Sequence, residues 1–227
     1  MNQLGLAAAM NAVRLGRSSF FGDGMRDLPK NRQPEVAAFD SVAQFGFVGS
    51  AYEQHRLLLL GINPGNGLDD TVSLADREML PLWRAFHEKP SETTWQHATA
   101  AYLRVCETWP VWGRHCADLL RSVGMTTSDI AYSNCLPWRT ASKSSFADDI
   151  AERTAANYVR PLLQELAPRI VVAVGKRAAA IIGLADTGVP ILITWNRAQA
   201  LTSGVAAERR AAKDELQSAL ARGRTLL

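Results

Sequence analysis

The chain has 227 residues, of which 47% are hydrophobic and 21% are charged, and its formal net charge at pH 7 is +3. This is the composition of a soluble globular protein that can bury a substantial core. No apolar run approaches the roughly 18 residues of a membrane span, and the charge permits a basic patch without proving a polyanionic partner.

The cysteines indicate a reducing compartment. The chain has three of them, Cys106, Cys116 and Cys135, and they form no C-x-x-C pair. Because three cysteines cannot all pair with one another, we expect a cytoplasmic protein. His115 lies beside Cys116, but the sequence offers no second pair of ligands, so we expect no metal site and no cofactor.

Four short segments have the apolar character of strands and are bounded by glycine, proline or polar residues. They are residues 55–62, 129–136, 169–174 and 189–195. The first contains four consecutive leucines, which is typical of a strand buried on both faces of a parallel sheet.

Helical patterns lie between these strands and after the last of them. They cover residues 76–86, 94–109, 116–123, 146–166, 176–182 and 204–222. Pro161 should kink the fourth of these helices or begin a second segment. At the N-terminus we expect a helix rather than a transit peptide, although no acid precedes Asp23, and the composition of residues 20–34 is typical of a loop.

Strands that alternate with helices predict βαβ units and a parallel sheet covered by helices. We therefore expect an α/β fold, a three-layer α/β/α sandwich around a four-stranded, mainly parallel central sheet. Residues 1–227 form a single domain in this interpretation, with residues 1–35 as an N-terminal helix and loop.

The most informative motif is LLLLGINPG, residues 57–65. Pro64 favours an extended conformation at Asn63, and Gly65 allows a sharp turn or a close approach to a ligand. Ligands of open α/β sheets bind at the carboxyl ends of the strands, which is where this turn falls. Asn63 is therefore a candidate for a functional amide.

The other three predicted strands end in polar loops that should meet Asn63 at the same edge. They bring amides, indoles and cations: Asn134, Trp138, Arg139, Lys176, Trp195, Asn196 and Arg197. An asparagine carboxamide matches a base edge with one donor and one acceptor, and aromatic or guanidinium planes stack on bases. The cations, and the helix N-terminus after Gly175, suit phosphates.

Gly-Ile-Asn-Pro-Gly resembles the first signature of the uracil-DNA glycosylase superfamily, and in particular its mismatch-specific branch. Asn134 in YSNCLPWR is similar in position to the Asn that reads uracil in that superfamily, and RIVVAVGKRAA resembles its third strand and following helix. The equivalent of the last signature is Asn196-Arg197-Ala198. The resemblance in strand order spans residues 57–202.

The resemblance implies a DNA glycosylase that flips uracil or a related damaged base out of DNA and hydrolyses its N-glycosidic bond. It implies a catalytic Asn63 that orients the attacking water. Substrate-binding positions would be Gly61, Ile62, Pro64, Gly65, Asn134, Trp138, Trp195 and Asn196. DNA-binding positions would be Arg139, Lys176, Arg197 and Gln199. We expect a monomeric base excision repair enzyme without a metal or an iron–sulfur cluster.

The sequence also departs from the superfamily. No histidine follows His115, Arg197-Ala198 replaces Pro-Ser, and residues 66–82 contain no aromatic residue to stack on the base. Trp138 or Trp195 would have to substitute for that aromatic. A non-catalytic or weakly catalytic protein that binds damaged or abasic DNA is therefore an alternative, and a nucleoside or nucleotide hydrolase is another.

Several of these residues also have a purely structural interpretation. Asn134 alone is more often a satisfied cap or turn residue. Trp109 and Trp112 are typical of packing at helix ends. Arg209 and Arg210 are most simply part of a solvated helix face, with contact to DNA as the less favoured interpretation.

Overall fold

A five-stranded sheet organises this computed structural model, which describes residues 5–7, 9–10, 13, 43–62, 70–108, 112–137, 148–196 and 202–224. The strands are β1 (Phe47–Val48), β2 (Leu57–Gly61), β3 (Ile130–Asn134), β4 (Ile170–Val174) and β5 (Ile191–Trp195). Their order across the sheet is β1-β3-β2-β4-β5, and all neighbours except β1 and β3 are parallel.

Strand β1 corrects the prediction of a four-stranded sheet. It has two residues and lies between Gly46 and Gly49, so it is too short to give a strand pattern in the sequence. Gly46 has a φ of 85°, and a Cβ at this position would collide with the backbone carbonyl of Tyr132. Glycine is thus what allows the segment before β1 to approach β3 so closely.

The helices of the described ranges are α1 (Tyr52–His55), α2 (Asp70–Glu88), α3 (Glu92–Thr108), α4 (Asp118–Ser122), α5 (Asp148–Thr154), α6 (Arg160–Leu166), α7 (Lys176–Leu184) and α8 (Ser203–Arg224). The π-helical turns Gly113–Ala117 and Ala155–Val159 precede α4 and α6. Residues 5–7, 9–10 and 13 are also helical. None of the described helices is long and apolar enough to cross a membrane.

The predicted strands and helices all have counterparts in the structure, although their ends differ by several residues. Pro161 lies at the start of α6, so the long helix continues there in a new segment, as the proline predicted. Helix α2 begins at Asp70 rather than residue 76. The predicted loop at residues 20–34 lies outside the described residues.

Helices cover both faces of the sheet. Ser133 Oγ and Tyr158 Oη are 2.9 Å apart, whereas Asn134 Nδ2 donates to Tyr102 Oη at 3.1 Å. Neighbouring side chains on a strand point to opposite faces, so the turn that carries Tyr158 and the helix that carries Tyr102 lie on opposite sides. Helix α7 contacts the Tyr158 turn and shares its side. The arrangement is compatible with an α/β/α sandwich.

The centre of the sheet is closed to solvent on both faces. The four leucines of β2 and Val171 to Ala173 of β4 are fully buried. Burial of one leucine side chain contributes about 1.5–3 kcal/mol. The carboxyl ends of these strands therefore project from a rigid base.

Candidate functional site

The candidate site lies where β2 and β4 end side by side. Residues after β2 lead to α3 on one side of the sheet, and residues after β4 enter α7 on the other side. Adjacent parallel strands whose connections leave to opposite faces form a crevice, and this is the usual ligand site of open α/β sheets. Gly61 and Ile62 border this position from β2, and Gly175 and Lys176 border it from β4.

Gly61 and Asn134 are direct neighbours across the ends of β2 and β3. A Cβ on Gly61 would collide with Asn134 Oδ1 and would lie 3.1 Å from Tyr132 Oη. The absence of a side chain at Gly61 therefore creates the space that the Asn134 carboxamide occupies. Gly61 at the end of β2 and Asn134 at the end of β3 thus form one structural unit.

Two tyrosines hold the Asn134 carboxamide from both ends. Asn134 Nδ2 donates to Tyr102 Oη at 3.1 Å, and Tyr132 Oη donates to Asn134 Oδ1 at 3.3 Å. The side chain is 0% exposed. These bonds use one of its two N–H groups and one of its two oxygen lone pairs, so each end retains capacity for another partner. The carboxamide is thus fixed in place but not saturated.

The chain continues the pairing beyond the sheet. Cys135 N donates to Gly61 O at 2.8 Å, and Leu136 N donates to Ile62 O at 2.9 Å. These bonds align the segment after β3 with Gly61 and Ile62, the two residues that precede Asn63 in the chain. Burial raises the pKa of the Cys135 thiol well above its ordinary value, so this cysteine stays protonated and unreactive at neutral pH.

Several predicted site residues lie outside the described residues. They are Asn63, Pro64, Gly65, Trp138, Arg139, Arg197 and Gln199. Their predicted roles stay predictions. The described residues from the same set are Gly61, Ile62, Asn134, Lys176, Trp195 and Asn196, and all of them lie at or beside the carboxyl ends of parallel strands.

Trp195 belongs to the core at the end of β5. Its ring is 0% exposed. The Arg209 guanidinium lies 5.4 Å and the Lys213 ammonium 5.8 Å from the ring centroid. The packed helix α8 therefore covers the face that a base would need, and the ring as placed cannot serve as the stacking platform predicted for it. Its Nε1 has no hydrogen-bond partner within the described ranges.

Asn196 and Lys176 share a carboxylate. Asn196 Nδ2 donates to Glu208 Oε2 at 2.6 Å, and Lys176 Nζ lies 3.7 Å from Glu208 Oε1. Arg209 Nε donates to Asn196 O at 2.9 Å. Helix α8 thus fixes the end of β5 through two consecutive residues. Because two strands separate β3 from β5, Asn134 and Asn196 lie about 14 Å apart on this edge.

The residues that position these groups were not predicted from the sequence. Tyr102 and Tyr132 bind Asn134, and Glu208 and Arg209 bind Asn196. The tyrosines lie 32 and 2 residues from Asn134 in the chain. The alternation of Tyr132 and Asn134 along one strand placed them on one face, but no local pattern predicted Tyr102. Trp112, 4% exposed, packs edge-on against Tyr132, which confirms its structural interpretation.

Within the described part of the chain, no group of three or more His, Cys, Asp or Glu residues could hold a metal ion. No family model and no curated protein matches the sequence. The function is therefore inferred from the chemistry and placement of the residues themselves.

Proposed function

We propose that this protein is a DNA glycosylase that excises uracil or a related damaged base. The proposal includes the finer expectations of a three-layer sandwich, a monomer and a cytoplasmic location in base excision repair. It also includes the roles of the loop residues around Asn63.

The observation that carries the proposal is the pairing of Gly61 with Asn134 at the ends of adjacent strands. Asn63 follows Gly61 by two residues, so its backbone lies within about 7 Å of that pair even in a fully extended chain. In this proposal the two carboxamides act at one edge: Asn63 holds the water that attacks the sugar, and Asn134 binds the base.

In the reaction, the bond between the sugar C1′ and the base nitrogen breaks, and its electron pair leaves with the base. Water held by Asn63 adds to C1′ and loses a proton to solvent or to the departing base. Asn134, already oriented by its tyrosines, donates its second N–H to the base as negative charge develops. Asparagine is a poor base, so positioning and electrostatics must supply most of the rate.

The cations at the same edge suit the DNA backbone. Lys176 is 75% exposed by its side chain, and its Glu208 partner is half exposed. Such a pair contributes little to stability, so a phosphate contact with Lys176 would cost little. Gly175 has a φ of 110° and no side chain caps the first turn of α7, so the backbone N–H groups there face the same edge.

A protein that binds damaged or abasic DNA without efficient turnover is the second candidate. The burial of Trp195 favours it, because an enzyme of this kind would need an accessible aromatic ring to stack on a flipped base. A binding protein needs neither an accessible indole nor a spare carboxamide at this edge.

Two assays on oligonucleotides separate the candidates. Wild-type protein is incubated with single- and double-stranded DNA containing one uracil, and strand cleavage after alkali reports base release. A gel shift on the same duplex with an abasic site reports binding. Release above a no-enzyme control supports the glycosylase. Binding without release supports the second candidate. If the protein shows neither release nor binding, both candidates are refuted.

A further inference from the structure

Gln44 is a buried residue whose polar atoms have no partner. Its side chain is 0% exposed, and neither Nε2 nor Oε1 has a hydrogen-bond partner in the part of the chain that the structure describes. Buried side-chain amides in folded proteins are nearly always paired, and an exception calls for a specific explanation. Here both the donor and the acceptor of one carboxamide are left open.

The backbone places Gln44 beside the segment that follows Asn134. Gln44 N donates to Pro137 O at 2.7 Å, and Leu136 N donates to Ile62 O at 2.9 Å. Three chain segments therefore run side by side past the end of the sheet: the one before β1, the one after β3 and the one that leaves β2 at Ile62. Neighbouring segments lie about 5 Å apart, and two such spacings separate Gln44 from Ile62, so the two residues are about 10 Å apart.

The residues on either side hold this segment rigidly. Ala43 O accepts a hydrogen bond from His87 Nε2 at 3.1 Å. The Phe45 ring stacks on the His87 ring, with centroids 5.6 Å apart and planes 25° apart. Helix α2 thus fixes both neighbours of Gln44, while the Gln44 carboxamide itself is unpaired. A group that is held in place and left unsatisfied is prepared for a ligand.

We propose that Gln44 is a specificity-determining residue that hydrogen-bonds the polar edge of the extruded pyrimidine. The inference rests on the proposed function. Uracil carries three polar groups in a row: O2, N3–H and O4. The Asn134 carboxamide can pair with only two of these groups, N3–H and one neighbouring carbonyl. The other carbonyl oxygen of uracil then accepts a hydrogen bond from Gln44 Nε2–H. The burial of both carboxamides keeps water from competing at this edge.

The test is the variant Gln44→Met, which keeps the length of the side chain and removes both polar atoms. We expect its melting temperature to equal or exceed that of the wild type, because an unpaired buried amide is lost. Affinity for abasic DNA should not change, since that product has no base. Single-turnover excision of uracil should fall 10- to 100-fold. The control is Gln164→Met, at an exposed position of α6.

A second variant keeps the inference testable if methionine disturbs the fold. Gln44→Glu has the same shape but no donor when ionised, and a protonated carboxyl group regains one O–H donor. Its excision rate relative to the wild type should therefore recover as the pH falls. A ratio that does not change with pH contradicts the inference.

Three results overturn the assignment of Gln44. One is wild-type excision by Gln44→Met. Another is an equal loss of excision and of abasic-DNA affinity, which would indicate a structural defect or an internal water in place of the base. The third is a wild-type protein that releases no uracil, which refutes the proposed function as well. The first two leave the proposed function intact.

Discussion

Asn134 lies directly opposite Gly61 in the parallel pairing of β3 with β2, and its carboxamide fills the space that a side chain at Gly61 would take. Tyr102 and Tyr132 hold that carboxamide at its two ends. The position of one predicted substrate-binding residue thus depends on a glycine in a neighbouring strand. Substitutions at Gly61 and at Tyr102 test this dependence.

Gly61→Ala should displace Asn134. The added methyl group collides with a buried amide between two strands, where neither backbone can yield easily. We expect a loss of about 1–3 kcal/mol in the free energy of unfolding, as for other overpacked cores. Uracil excision should fall at least about tenfold, because small displacements of positioning groups are costly to catalysis. Urea unfolding and single-turnover excision measure the two effects.

Gly183→Ala is the matched control for that substitution. Gly183 lies in α7, and a Cβ there meets nothing within 4 Å. The alanine should stabilise the helix by about 0.5–1 kcal/mol and leave excision unchanged. If both variants lose excision equally, the effect at Gly61 does not come from Asn134.

Tyr102→Phe removes the hydroxyl that accepts the Asn134 N–H. An unpaired donor remains in a buried site, so the free energy of unfolding should fall by about 1–3 kcal/mol. Excision should fall as well, because Asn134 loses its orientation. Tyr52→Phe is the control, since its buried hydroxyl bonds Leu166 O far from the site. Tyr52→Phe should lose similar stability and keep its excision rate. If Tyr52→Phe also loses excision, the loss in Tyr102→Phe cannot be assigned to the orientation of Asn134.

Lys176→Ala should weaken DNA binding through one phosphate contact. Removing one such contact lowers the slope of log K against log salt by about 0.9 for duplex DNA. Arg169→Ala is the control, because Arg169 is exposed at the opposite end of the same strand. Titrations of an abasic duplex at several salt concentrations compare the two. If Lys176→Ala and Arg169→Ala give equal slopes of log K against log salt, DNA does not contact the carboxyl edge of β4.

The burial of His87 should make stability depend on pH. Burial lowers the pKa of His87 from its ordinary value of 6.5, and the hydrogen bond to Ala43 O partly opposes this shift. The unfolded chain therefore binds the proton more readily than the folded chain. The contribution of His87 is complete above about pH 6.5 and is lost as the pH falls toward the lower folded-state pKa.

Urea unfolding at pH 5.5 and pH 7.5 measures this effect. One histidine contributes at most about 1.4 kcal/mol for each pH unit. His87→Gln should reduce the difference between the two pH values, whereas His97→Gln, at an exposed position of α3, should keep it. An unchanged difference in His87→Gln would show that another group causes it.

The parallel part of the sheet could be predicted because its signal is local. The four leucines of β2 and the apolar run of β4 are continuous and end at Gly or Pro, and both are buried on two faces. Strand β1 could not be predicted in this way. Its two residues pair with β3 only because Gly46 permits a close approach, which is a relationship between distant segments.

The location of the candidate site at the carboxyl edge of the sheet could be predicted from the sequence, but the partners of its side chains could not. Parallel strands require Asn134, Lys176 and Asn196 to share that edge, whatever the side chains do. Which groups bind them depends on how α3 and α8 pack. Trp195 illustrates the difference, since its position after β5 suggested an exposed ring and the packing of α8 buries it.

The most direct measurement of the central claim is single-turnover excision of uracil by the wild type and by Asn63→Ala, with abasic-DNA affinity measured in parallel. A group that positions water acts on the transition state, so the excision rate should fall by about 100-fold or more while affinity for the abasic product stays within about twofold. Wild-type excision that Asn63→Ala retains in full would contradict the account, as would a wild-type protein that releases no base.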